Sequence, residues 1–397
     1  MRLCYVWDAE YPWDVRVEKV TRSLTASGHE VHIVARNRER RPVLEQLEEG
    51  LVHRIPPVAL LGQRLDAATQ FPAFFNPRWA RAILSTARKT RSELVVVRDL
   101  PLAPTAIWAA RQLGIPVVMD MAENYPAMMR SLWETGVKRG TDVLVRNPRI
   151  VAAVERWTLR HLDHIIVVVE ESRDRLVAAG YPADRITVVC NTPVFSRLGE
   201  LTPKVHRDGG ALELIYLGLL EAPRGIAQVI DAVAVARQHE IPVRLTVLGK
   251  GREAAAFAAR ARDRGVDDAV SFLGHVPYVE AVRLLQRADV GVVPHLANES
   301  WNTTIPNKLF DYMAGGLAVL TSNARPAARI VRETDSGCVY TDTSVDELAR
   351  SIMRLKPAEA RRRHGEAGRR AVTERYHWEV DAERMLGALR TVSVRTR

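Results

Sequence analysis

The chain has 397 residues, a formal net charge of +10, and 47% hydrophobic and 26% charged side chains. A single core rarely grows beyond about 250–300 residues, so this length predicts two domains, and the ordinary globular composition excludes a disordered or fibrous chain. The strongest apolar runs, such as residues 165–169, fall far short of the ~20 residues that span a bilayer.

The first residues, MRLCYVW, run into Asp8 and Glu10 without the apolar core of a signal peptide. The expectation is a cytoplasmic protein that can associate with the inner face of the cell membrane. Residues 4–7 and 31–35 read as buried strands around an amphipathic helix at 15–27 that ends at Gly28. Further strand signals follow at 94–97, 117–119, 165–169 and 186–189, separated by helical lengths. Such alternation implies a parallel, doubly wound sheet. Cys4, Cys190 and Cys338 are isolated, without metal-ligand spacing, and read as buried free thiols.

Residues 51–119 carry nine basic side chains, Arg54, Arg64, Arg78, Arg81, Arg88, Lys89, Arg91, Arg98 and Arg111, against three acidic ones. Arg38, Arg40 and Arg41 stand just upstream, and Phe71, Phe74, Phe75 and Trp79 lie among the arginines. Basic and aromatic residues together suit an anionic membrane surface or a lipid-diphosphate acceptor. A solvated basic face over core aromatics would read the same way. No nucleic-acid motif is present, so no nucleic-acid partner is expected.

Residues 192–211, rich in Pro and Gly, mark a linker. The boundaries read as 1–195 for the first domain, 196–210 for the linker, 211–375 for the second domain, and a C-terminal helical segment at 376–397 packing back toward the first. Strand and helix alternate again after the linker: strands at 212–217, 244–248, 270–272, 290–293 and around Val319, with helices near 225–239, 252–264 and 278–287. The Arg/Glu-rich stretch 359–389 reads as helix.

Ligands of such sheets bind beyond the carboxyl ends of the strands, which directs attention to four loops. Gly218 closes a strand, and Arg224 precedes Gly225 where a helix starts, well placed to grip a diphosphate. Gly249 allows close backbone approach, although a tight turn needs the same residue. Gly274 and His275 end another strand where the backbone can read a base, unless His275 is simply structural. In the fourth, IPNKLFDYMAGGLAVL at 305–320, Pro306 suits a first helical position, with Thr303 and Thr304 available to cap it. Lys308 and Asp311 then share one face of the first turns. A cation at a helix start meets a phosphate, and a carboxylate accepts from a sugar hydroxyl, a combination that describes a nucleotide sugar. Two solvated surface residues on an ordinary helix are the alternative.

Taken together these loops resemble the retaining glycosyltransferases of the family-4 type, which have the GT-B fold. The resemblance is densest over 212–380, in PNKLFDYMAGGLAV and in GRRAVTERYHWEV at 368–380. It extends through DVRVEKVTRSLTASGHEVHIVAR at 14–36, PVVMDMAENYP and LDHIIVVVEESRDRLVAAGYPADRITVVCNTP at 162–193. It implies two Rossmann-like α/β domains facing a central cleft, an acceptor-binding first domain and a donor-binding second one. Arg224 and Lys308 would neutralise the donor diphosphate, Asp311 would hold the ribose, and the backbone around His275 and Val276 the base. Gly218, Leu219, Gly225, Gly249, Thr303, Thr304 and Asn307 complete the expected donor site.

Three departures stand out against the family pattern. Leu219 occupies a position where an Arg is usual, Thr303 and Asp311 stand where two glutamates are common, and Ala122 stands where a His often follows the residue matched by Asp120. Arg16 is a candidate replacement cation and Glu123 a candidate acceptor contact, with Asp14, Asn124, Tyr125 and Arg98 as further acceptor-binding candidates. The implied activity is metal-independent transfer of a sugar, from UDP by preference, to a glycan, lipid-linked or small-molecule acceptor, with no cofactor. A catalytically silent accessory subunit and a nucleotide-sugar epimerase on the same fold are the alternatives.

Overall fold

A computed structural model of the chain describes residues 1–58, 60–135, 145–194 and 204–395. Most of the expected linker, 196–203, lies outside the described residues. The chain forms two compact units, Met1–Cys190 together with Asp381–Arg397, and Asn191–Val380.

The first unit contains β1 (Arg2–Val6), β2 (Glu30–Ala35), β3 (Leu44–Leu47), β4 (Gly50–Arg54), β5 (Leu94–Arg98), β6 (Val117–Met121), β7 (His164–Val167) and β8 (Ile186–Val188). They form one sheet in the order β3-β4-β2-β1-β5-β6-β7-β8. Central strands of a parallel sheet are covered on both faces and therefore lack polar alternation; β5, LVVVR, is buried throughout. The antiparallel β3–β4 hairpin has no counterpart in the sequence reading. Its edge strand LEQL is half polar and alternates exposed with half-buried positions, so no apolar run announces it.

Helices Pro77–Lys89 and Ala103–Leu113 bury Trp79, Ile83, Ala106 and Ile107 with this sheet. Asn76 caps the first of them by accepting from Arg78 N and Trp79 N, with Pro77 at the first turn. The basic stretch is consequently not one surface. Arg54 is buried, paired with Glu45 at 2.5 Å and donating to Tyr11 O, Arg98 is buried among carboxylates, and Trp79 is core. Arg64, Arg81, Arg88, Phe71 and Phe75 are exposed.

The second unit contains β9 (Leu212–Leu217), β10 (Val243–Leu248), β11 (Val270–Gly274), β12 (Val290–Val293), β13 (Ala318–Ser322) and β14 (Gly337–Tyr340). All pair in parallel, in the order β11-β10-β9-β12-β13-β14. Helices Ile226–Gln238 and Val345–Arg354 share one core with β9 and β10. The C-terminal stretch forms two helices, Ala358–Glu374 and Trp378–Arg395, rather than one. At the break Tyr376 turns inward to stack against Phe310, ring centroids 5.4 Å apart, and Trp378 N donates to Pro193 O. Cys4 and Cys190 are buried free thiols, whereas Cys338 is only half-buried.

Candidate active site

In the second unit β9 pairs with β10 on one side and β12 on the other, so the strand order reverses at β9. A crevice opens at such a reversal beyond the strand ends. β9 delivers Gly218 there and β12 delivers Pro294 and His295. Gly218 has φ 139°, and a Cβ on it would stand 2.7 Å from Lys308 Nζ. The Gly249 backbone packs against Gly218 O and that of Gly225 against Pro294 O, each closer than any side chain would allow. These three glycines let the loops pack backbone against backbone.

Lys308 begins the helix Lys308–Ala314, two residues later than the Pro306 start expected, with Asn307 as the flanking residue. The reason is a tightened first turn, in which Leu309 N donates to Pro306 O and Phe310 N to Asn307 O. The flanking Asn307 side chain makes no capping hydrogen bond to this helix. Thr303 donates its hydroxyl to Glu299 O at 3.0 Å. Seven residues do not make a stable helix alone, and tertiary anchors hold this one. Tyr312 Oη accepts from Leu217 N at 3.0 Å, and its ring lies where a Cβ on Gly291 would be.

The Lys308 ammonium is buried, stands 3.9 Å from the Tyr216 ring centroid, and has no hydrogen-bond partner among the described residues. Burial and then the neighbouring Arg224 charge push its pKa well below the ordinary lysine value, with Asp311 opposing them. A buried cation beside another cation is the signature of an anion site.

Arg224 ends the short turn Ala222–Arg224 after β9, just before Gly225 turns left-handed at φ 72°. Its Nη1 donates to His295 Nε2 at 3.0 Å, and its guanidinium carbon lies 4.6 Å from the Trp301 ring centroid. A guanidinium has no acceptor, so the His295 ring proton must sit on Nδ1. Burial, then Lys308 and Arg224, hold the imidazole well below its usual pKa, which keeps it neutral and able to accept. His295 also packs on Trp301, ring centroids 4.1 Å apart. His295 and Trp301 therefore fix where Arg224 points. Neither was anticipated from the sequence, although His295 directly follows Pro294 at a strand's carboxyl end.

The other anticipated donor residues border these groups unequally. Leu219 is exposed, and its carbonyl accepts from Tyr216 Oη at 2.8 Å. His275 is exposed and Val276 half-buried after β11, whose last residue, Gly274, accepts from Gly249 N. Asn307 and Asp311 are exposed; Thr303 and Thr304 are buried.

In the first unit a buried charge cluster sits where β1, β5 and β6 end. Arg16 Nη2 pairs with Asp120 at 2.6 Å, its Nη1 donates to Val189 O, and Tyr5 Oη donates to Asp120. Burial alone would raise the Asp120 carboxyl, but Arg16 and then Arg98 hold it below its ordinary value. Arg16 thus neutralises a buried carboxylate of its own unit. Arg98 lies 3.4 Å from Asp99, which accepts from Ala122 N and Glu123 N. Asp14 and Asn124 both serve as helix caps, Asp14 accepting from Arg16 N and Val17 N and Asn124 from Ala127 N. Glu123 and Tyr125 are half-buried beside them.

Among the described residues no group of three or more His, Cys, Asp or Glu side chains is arranged to hold a metal ion, and no helix is long and apolar enough to cross a membrane.

Two Rossmann-like units with these loop ends define a GT-B glycosyltransferase. Residues 14–192 match the glycosyl transferase 4-like domain and residues 211–356 match the glycosyl transferases group 1 domain, and the chain belongs to the group 1 glycosyltransferases. It is 25% identical to a glycogen synthase of Mycobacterium tuberculosis over 391 residues, covering 92% of this chain and 87% of that one. It is 23% identical to a 2-deoxystreptamine glucosyltransferase of Streptomyces kanamyceticus, covering 86% and 88%. Among solved structures, the sucrose-phosphate synthase of Thermosynechococcus elongatus superposes with a TM-score of 0.74 at 17% identity, covering 99% of both chains. The Anabaena protein HepE, in complex with UDP, superposes with a TM-score of 0.72 at 14% identity, covering 98% and 100%.

Proposed function

We propose that this chain is a metal-independent retaining glycosyltransferase, moving a sugar from a UDP-sugar to a glycan, lipid-linked or small-molecule acceptor in polysaccharide or glycoconjugate assembly. The observation that carries the reading is the unpartnered, buried Lys308 ammonium beside Arg224. That pair suits a diphosphate, and solved relatives hold UDP and UDP-2-fluoro glucose. Asp311 would accept from the ribose and the backbone at His275 and Val276 would meet the base, while Asn307, Thr303 and Thr304 border the sugar. On the acceptor side, Glu123, Asp14, Asn124, Tyr125 and Arg98 are the candidate contacts of the first unit, whereas Arg16, the candidate replacement cation, is committed to Asp120.

The bond from the sugar's anomeric carbon to the diphosphate oxygen breaks, and its electron pair leaves with the phosphate. The acceptor hydroxyl oxygen bonds to that carbon on the same face, and its proton passes to the departing phosphate oxygen. The developing charge falls between Lys308 and Arg224, whose pre-set positions avoid reorganisation at the moment of reaction.

Calorimetry with UDP and turnover of UDP-sugars tests this. Lys308→Ala should lower UDP affinity about 10²–10³-fold, the ~2.7–4 kcal/mol typical of losing one charge-stabilising donor, and turnover should persist in EDTA. Turnover abolished by EDTA overturns metal independence. The exposed Leu219 apolar side chain at the diphosphate end favours a second reading, a catalytically silent subunit, which predicts neither binding nor hydrolysis of any nucleotide sugar.

A further inference from the structure

Beyond β2 the chain lays Arg36 and Arg38 along a cavity of about 740 Å³ within the first unit, which Arg64, Phe71 and Glu10 also line. None of the residues assigned above to the acceptor lines it. The volume lies in the range of small-molecule sites, roughly 300–1,000 Å³.

Two of its polar groups are unmatched. Arg36 is tethered by Nη2 donating to Ala67 O at 3.0 Å, yet its Nε is buried with no partner among the described residues. Glu10 accepts from Arg38 N through one carboxylate oxygen at 2.6 Å, and the other is likewise buried and unmatched. Leaving such groups unpaired in a folded protein is costly, and a ligand that pairs them removes that cost. Burial, and then Arg38, disfavour the charge on Arg36, with Asp8 and Glu10 opposing them. Glu39, the other acidic wall residue, is already paired with Arg41 at 2.9 Å, so three guanidinium groups outnumber the single uncommitted carboxylate.

Guanidinium groups in number suit a phosphate, whose oxygens take paired N–H donors. A lone carboxylate oxygen suits a hydroxyl, and the exposed Phe71 ring suits the apolar face of a sugar or the start of a lipid chain. We propose that this cavity holds the phosphate end of a phosphorylated sugar acceptor, in addition to the acceptor contacts named above, with Arg36, Arg38 and Arg64 holding the phosphate and Glu10 accepting a hydroxyl. The word acceptor rests on the glycosyltransferase reading above; the phosphate site itself does not.

Calorimetry on the full chain with saturating UDP, which blocks the second unit's anion site, tests this using two probes. Glucose 1-phosphate represents a free sugar phosphate, and polyprenyl phosphate-glucose in dodecylmaltoside micelles represents a lipid-linked one, with phosphate-free micelles as control. Arg38→Glu and Arg64→Glu, both at exposed positions, should weaken binding at least tenfold, Arg36→Ala should do the same, and Lys308→Ala should leave it unchanged. Binding of the free probe alone identifies a soluble acceptor, and of the micellar probe alone a lipid-linked one. Failure of both probes to bind the wild-type chain, or equal affinity in Arg38→Glu and Arg64→Glu, overturns the proposal. Loss of UDP binding with sugar-phosphate binding intact would instead count against the donor reading alone.

Discussion

Lys308 is buried and no partner among the described residues meets its ammonium, so its protonation and its ligand are linked. Its pKa in the free protein is well below 10.5, because of burial first and Arg224 second, and a bound diphosphate restores it. UDP binding above the free value therefore takes up a proton. Affinity should fall as pH rises between the free and bound values, by up to about tenfold per pH unit. Titration in buffers of different ionisation heats reads the uptake directly, and Lys308→Met should abolish it. Folding stability runs the other way: the unfolded chain holds this proton more tightly, so stability rises with pH from the folded pKa toward 10.5. His295 makes a second, sharper case. His295→Phe removes the acceptor that aims Arg224 and should lower UDP affinity at least tenfold, in line with the ~1.5–3 kcal/mol of a hydrogen bond to a charged group. His295→Gln, which keeps a side-chain acceptor, should retain most of it, whereas a merely space-filling His would be better replaced by Phe.

The helix Lys308–Ala314 matters as an element because it is too short to stand alone and is seated by Tyr312 in the gap at Gly291. Gly291→Ala would put a Cβ about 2.1 Å from the Tyr312 ring, a clash that must displace either the strand or the helix. Overpacking of this kind costs about 1–3 kcal/mol. Thermal unfolding should report that loss, and UDP affinity should fall with it because Lys308 moves with the helix. The same elements show what could be read beforehand. β9, β12 and the helix at 278–287 stand where apolar runs and helical spacing put them. The start of the Lys308 helix does not, since a 3₁₀-type first turn leaves the same sequence signature as an α-turn. His295 was invisible for a different reason. Its meaning depends on β12 lying beside β9 across intervening strands, and pairing between non-consecutive strands is not written in local periodicity. β3 was missed because an exposed polar edge strand has no apolar run to find.

At the scale of the whole molecule, the helix Trp378–Arg395 crosses the division at residue 380. It starts with the second unit and buries Met385, Leu389 and Val392 as part of the first. Truncation after Val380 should therefore destabilise the first unit by several kcal/mol, at roughly 1.5–3 kcal/mol per buried apolar side chain removed. Differential scanning calorimetry should show one transition lowered, with UDP still shifting the other.

That crossing also orders events during synthesis. Domains of a nascent chain generally fold in sequence from the N-terminus. Here the first unit emerges from the ribosome without its last helix, and the second emerges whole before that helix is available. The unit that is made first is thus finished last, and for the span of some two hundred residues its exposed apolar surface is a natural place for a chaperone to bind.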